Sequence, residues 1–159
     1  GFPAGDEGGG AWIGHQAIRW YLYHRDGRDD RASTLEPFMR QRLGATTSAI
    51  QGWLLGASAT RYATLARLVV EAAQQGDAVS GAILDRAAAE VSQGITALDR
   101  PEPADRIALI GGLAPALATR LPADQHLRIV AAQGGALDGL VRVLRGLAPP
   151  EPSLEDETL

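Results

Sequence analysis

Two glycine-bound clusters carry most of the chemistry that this sequence could do. Asp6 and Glu7 stand among Gly5, Gly8, Gly9 and Gly10, directly before an apolar helical pattern. A carboxylate held on such a loop suits hydrogen bonding to sugar hydroxyls, because an ionised acceptor makes strong, directional bonds. The same pair would equally serve as N-terminal caps on a solvated loop. The second cluster is Gly111-Gly112, which closes the apolar run Ile107–Ile110. A glycine pair after a buried parallel strand lies where ligands bind in open α/β sheets, with no Cβ to keep a nucleotide from the backbone and a helix N-terminus to offer N–H groups to phosphate. A plain strand-to-helix turn explains the pair as well. It is neither a GxGxxG fingerprint nor a P-loop, since the chain has no Lys.

Other chemistry is thinly represented. Cys is absent, which removes disulfides, zinc ribbons, iron–sulfur clusters and thiol nucleophiles. His15, His24 and His126 lack metal-ligand spacing and read as surface or partly buried histidines, so no metal site is expected. No GxSxG pattern is present and no general base stands out. Trp12, Trp20, Tyr21, Tyr23 and Trp53 read as packing residues rather than a cofactor box. Gly134-Gly135 reads as a helix start.

The elements that position these residues follow from periodicity and punctuation. The chain has 159 residues, 45% hydrophobic and 21% charged, with a net charge of −4, which suits one globular domain. Its fifteen basic residues, all Arg, are dispersed among acids, so nucleic acid is not an expected partner. No apolar stretch approaches the roughly 20 residues that span a bilayer, and the expectation is a soluble, cytoplasmic protein without membrane contact.

Residues 1–10 hold five glycines and read as a loop, followed by a helix through Trp12, Ile13, Ala17, Trp20 and Tyr21 that fades at His24–Arg31. Leu35, Phe38, Met39 and Leu43 suggest a short helix capped by Ser33 or Thr34, and Ala49–Leu55 a second one ended by Gly56. Tyr62, Leu65, Ala66, Val69, Val70 and Ala73 share one helical face that Gly76 terminates, and Asp77 is an N-cap for the next helix. That helix places Val79, Ile83, Ala87, Val91, Ile95 and Leu98 on a core-facing stripe. Beyond Pro101–Asp105 come strands at Ile107–Ile110 and Leu127–Ala132, around a helix at Leu113–Leu121 with Pro115 in its first turn. A last helix runs from Gly134-Gly135 through Leu147. The tail from Pro149 has three prolines and four acids and is expected to be disordered. Two strands joined through a helix imply a parallel pair with a right-handed crossover, the rest of whose sheet would lie upstream of Gly1. A chain that starts at a glycine-rich site without Met reads as part of something longer.

The segment GFPAGDEGGGAWIGHQAI resembles the GWGxxxGDEGSGxWIGxxAL signature of the BadF/BadG/BcrA/BcrD family, and especially its bacterial N-acetylglucosamine and glucosamine kinases. RYATLARLVVEAAQQGDAVSGAILDRAAAEV resembles the family's helix pair around an AxxGD junction, IALIGGLAP its adenosine-motif strand and turn, and GGALDGLVRVL its closing helix. The resemblance implies an α/β, ribonuclease H-like lobe of the actin-like ATPase fold, with residues 1–148 as the C-terminal lobe of a two-lobed sugar kinase, mostly helical with a short parallel sheet. It implies ATP and Mg²⁺ as cofactors, an amino sugar as substrate, the missing N-terminal lobe as partner and a possible homodimer. By the same resemblance Asp6, with Glu7 beside it, contacts the sugar. Gly111, Gly112 and Ala63 line the nucleotide, and the catalytic aspartate lies outside this chain, which alone performs no catalysis. Gly9 departs from the family's serine, and residues 25–60 match no motif.

Two other functions compete with the hexosamine kinase. One is a BadF-type ATPase without a sugar substrate, although the absence of Cys counts against an activator that holds an iron–sulfur cluster. The other is a helical oligomerisation domain, whose interface would be the amphipathic helices 61–75 and 78–98.

Overall fold

The computed structural model describes residues 1–146. Eight helices follow in order: α1 Gly10–Arg25, α2 Leu35–Leu43, α3 Thr47–Leu54, α4 Ala59–Gln74, α5 Ala78–Leu98, α6 Ala114–Ala118, α7 Ala123–His126 and α8 Ala136–Leu144. None is long and apolar enough to cross a membrane.

One core joins α1, α2, α4 and α5. Ile13, Ala17, Trp20 and Tyr21 meet Leu35 and Met39, Leu65 and Val69, and Val79, Leu84 and Ala87. The stripes of α4 and α5 are thus packed largely inside the chain. The stripe on α5 ends earlier than its periodicity suggests, because Leu98 is 84% exposed. The α1–α4 contact sets the geometry of the whole. A Cβ on Gly14 would stand 2.0 Å from the Tyr62 carbonyl oxygen, so the two backbones approach as only glycine permits. Gly10 repeats this one turn earlier, where a Cβ would lie 3.2 Å from the Ala63 Cβ.

Helix ends follow the sequence closely. Gly76 adopts φ +84° after α4. Asp77 caps α5 by accepting from the Ser80 N–H at 2.7 Å, and it also accepts from the Thr34 N–H at 2.8 Å. One buried carboxylate therefore fixes the start of α5 and the approach to α2. Thr34 occupies the N-cap of α2 without a side-chain capping bond, its hydroxyl donating instead to Asp77 Oδ2 at 3.4 Å, while Ser33 Oγ accepts from the Leu35 N–H at 3.0 Å. Thr46 caps α3.

The expected strands at 107–110 and 127–132 are not formed among the described residues. What remains is a single parallel bridge between Ile107 and Ile129. Ile107 N–H donates to the Arg128 carbonyl at 2.8 Å, and Val130 N–H donates to the Ile107 carbonyl at 2.9 Å. The parallel sense agrees with expectation, but helical turns from α7 continue to the Ile129 N–H, which donates to the His126 carbonyl. Little extended backbone is left to pair, and two parallel strands without neighbours are marginal. Arg128 secures the bridge by donating to Asp99 Oδ2 at 2.6 Å and to the Ala104 carbonyl at 2.8 Å.

The helix expected over 113–121 shortens to α6, with Pro115 in its first turn, and α8 ends at Leu144 within the described residues. Leu147 and the tail from Pro149 lie outside them. Leu137, Val143 and Leu144 of α8 are exposed.

Burial pushes the Asp77 carboxyl up, but the Ser80 and Thr34 hydrogen bonds outweigh it and hold its pKa below the ordinary value. A carboxyl depressed in the folded state stabilises above its unfolded pKa, and that stability is lost as pH falls through the folded one. Asp77→Ala is expected to cost about 2–3 kcal/mol at neutral pH. Urea unfolding of the variant and the parent should converge below the carboxylate range; a gap that persists in acid would contradict this role.

Candidate functional site

The loop before α1 is built from its own backbone. Asp6 adopts φ +62°, a left-handed conformation that aspartate tolerates better than most residues. Its carbonyl accepts from the Gly9 N–H at 2.8 Å, and its Oδ2 accepts from the Phe2 N–H at 2.9 Å. Gly8, buried with φ +79°, presses onto α5, where a Cβ would stand 2.8 Å from the Ala87 carbonyl oxygen. Gly9 is the N-cap of α1 and supplies no side-chain bond. A Cβ there would lie 2.9 Å from the Asp6 carbonyl oxygen, so a serine requires that carbonyl to move.

This packing brings the two glycine clusters together. Glu7, Gly8 and Gly9 form one wall of a cleft of about 270 Å³, with Gly111 and Gly112 opposite and Val91, Leu109, Leu113 and Leu117 lining it. Gly111 adopts φ +118°, and a Cβ on either glycine of the pair would meet nothing within 4 Å, so the backbone faces open space. The cleft volume lies slightly below the usual range of about 300–1,000 Å³ for ligand pockets.

The two acids of the loop separate. Glu7 lines the cleft, whereas Asp6 is not among its lining residues and bonds Phe2 instead. Phe2 belongs to an aromatic group with Tyr62, at 5.0 Å between ring centroids, and His15, at 6.1 Å. Trp53 packs edge-on to Tyr62. This cluster was not legible in the sequence, where its members lie apart. Ala63 is half-buried beneath Gly10 rather than on the wall of the cleft.

The helix start after Gly112 offers few free N–H groups. Helix α6 has five residues, the Ala114 N–H is spent on the Gly111 carbonyl, and Pro115 has no N–H. Whatever the turn does for a ligand, it does through the exposed backbone of the glycines. His24 Nδ1 lies 2.9 Å from the Asp29 carbonyl oxygen and His126 Nδ1 lies 2.8 Å from that of Ala118, which are structural roles. Among the described residues, no group of three or more His, Cys, Asp or Glu side chains could hold a metal ion.

The sequence profile of the BadF/BadG/BcrA/BcrD ATPase family matches residues 1–123, which include the acidic loop and the Gly111-Gly112 turn. The chain belongs to this family. A solved structure from Chromobacterium violaceum, described as a candidate N-acetylglucosamine kinase, is 34% identical with a TM-score of 0.80. The match covers 91% of this chain and 50% of that one, so the chain spans about half the length of its relative. No curated protein matches the sequence.

Gly8→Ala introduces both a strained φ and a clash with backbone, and is expected to destabilise this BadF-family chain by about 2–3 kcal/mol. Denaturant unfolding that is unchanged in the variant would show that the loop is not seated on α5.

Proposed function

We propose that this chain is part of an ATP-dependent kinase that phosphorylates N-acetylglucosamine or glucosamine. The observation that supports it best is the cleft in which the Glu7–Gly9 loop faces the Gly111-Gly112 turn, in a chain of an ATPase family. ATP would supply the γ-phosphoryl group when bound. The open backbone of Gly111 and Gly112 admits the adenosine part, and Val91, Leu109 and Leu113 cover its ring. Glu7, on the same cleft, accepts from ribose hydroxyls, which separates its task from that of Asp6.

Asp6 accepts from sugar hydroxyls with the carboxylate oxygen that Phe2 leaves free. Its left-handed backbone, tied through the Gly9 N–H, holds that carboxylate in place before the sugar arrives. Phosphoryl transfer asks for positioning and charge neutralisation rather than a protein nucleophile, and lobe closure would exclude water. The residue that takes the hydroxyl proton, and the groups that hold Mg²⁺, belong in this reading to a second, N-terminal lobe of a ribonuclease H-like pair. A homodimer of such kinases and a cytoplasmic site of action complete the proposal.

Asp6→Asn tests the sugar assignment, since asparagine keeps the φ and an acceptor for Phe2 but removes the charge. In the complete kinase the sugar KM is expected to rise tenfold or more, about 1.4 kcal/mol of lost binding, with the KM for ATP little changed. An unchanged sugar KM would move the reading to the family's ATPases without a sugar substrate.

A further inference from the structure

Residues 1–6 fold back on themselves before α1 begins. The Phe2 N–H donates to Asp6 Oδ2 at 2.9 Å, and a Cβ on Gly5 would stand 3.2 Å from the Gly1 nitrogen. Gly1, Pro3 and Ala4 are exposed, and the apolar tie from this loop to the helices is the half-buried Phe2 ring. Its centroid lies 5.0 Å from that of Tyr62 on α4 and 6.1 Å from that of His15 on α1. Tyr62 and His15 also pack edge-on at 5.9 Å, and Trp53 of α3 backs Tyr62 at 5.6 Å. All four separations fall within the range of about 4.5–7 Å that aromatic pairs prefer.

The seat of the Phe2 ring is therefore part of the α1–α4 crossing. His15 follows Gly14, and Tyr62 supplies the carbonyl that Gly14 meets. Phe2 thus does two unlike things, with its ring on rigid helices and its N–H on a carboxylate.

The second of these matters for Asp6. Its φ of +62° and the bond from the Gly9 N–H to its carbonyl set the backbone, but they leave the side-chain torsions open. Among the described residues the Asp6 carboxylate has one hydrogen-bond donor, the Phe2 N–H. A bond to an ionised acceptor is strong and directional, so it fixes the plane of the carboxylate while leaving the other oxygen to a ligand. Orientation set before binding spares the ligand the entropy of ordering that side chain.

We propose that Phe2 is a positioning residue for the sugar: its ring, seated on Tyr62 and His15, holds its N–H where it orients the Asp6 carboxylate. This rests on the reading of Asp6 as the acceptor for sugar hydroxyls. It adds that α1 and α4 act on the sugar through an aromatic seat, by way of Asp6.

The test is a double-mutant cycle in the complete kinase. Phe2→Ala is expected to raise the sugar KM about fivefold or more, with the KM for ATP and the midpoint of thermal unfolding little changed. Phe2→Tyr keeps the ring and should hold the sugar KM within about twofold of the parent. In an Asp6→Gly background glycine keeps the φ but no carboxylate is left to orient, and there Phe2→Ala should add less than about twofold. His15→Ala removes one side of the seat at an exposed position and should raise the sugar KM in the same direction, which keeps the test open should Phe2→Ala fail to fold. An equal effect of Phe2→Ala with and without the carboxylate, or a KM for ATP that rises together with that of the sugar, would make Phe2 a loop-packing residue and overturn the proposal. A raised sugar KM in Asp6→Gly beside an unchanged one in Phe2→Ala would overturn the positioning role alone. A parental sugar KM in Asp6→Gly would overturn the sugar assignment itself and this role with it.

Discussion

The close crossing of α1 over α4 is the constraint on which the remaining structure depends. Where Gly14 meets the Tyr62 carbonyl there is no room for a single methyl group, and Gly10 meets Ala63 nearly as closely. Contact at this range brings Ile13, Ala17 and Tyr21 into the core with Leu65 and Val69. It also fixes where α1 begins. The acidic loop has no freedom to choose its position, because its last residues are already held against α4 and Gly8 is pressed onto α5.

From that constraint the site follows in steps. Asp77 sets the start of α5, and α5 supplies the Ala87 backbone on which Gly8 sits and the Val91 side chain of the cleft. At its far end Asp99 holds Arg128, and through the Ile107–Ile129 bridge this anchors the segment that ends in Gly111-Gly112. Both walls of the glycine cleft are therefore carried by one helix.

Sequence reasoning succeeded where local rules and tertiary packing agree. Helices α4 and α5 carry apolar stripes that pack into the core, and Gly76 and Asp77 terminate and cap as their types dictate. It failed where a neighbour decides. Ile107–Ile110 has the composition of a buried strand, yet only Ile107 pairs, since α7 keeps its partner segment in helical turns up to Ile129. That helix is four residues of ADQH behind a proline, with no apolar period to reveal it. Leu98 continues the stripe of α5 by spacing, but no element covers that end. In the site, the roles of Asp6 and of Gly111 and Gly112 were implied by family resemblance, not by spacing, and the meeting of Gly8 and Gly9 with Gly111 and Gly112 required coordinates. The divergence of Asp6 and Glu7 onto different surroundings required coordinates.

The most direct test of the central claim is ATP turnover by the complete protein that carries this chain, measured with glucosamine, with N-acetylglucosamine, with glucose and with no sugar. Turnover that depends on one of the two hexosamines is the predicted result. Hydrolysis at the same rate under all four conditions would contradict it, and would leave the Asp6 carboxylate with its bond to Phe2 as a loop-building contact.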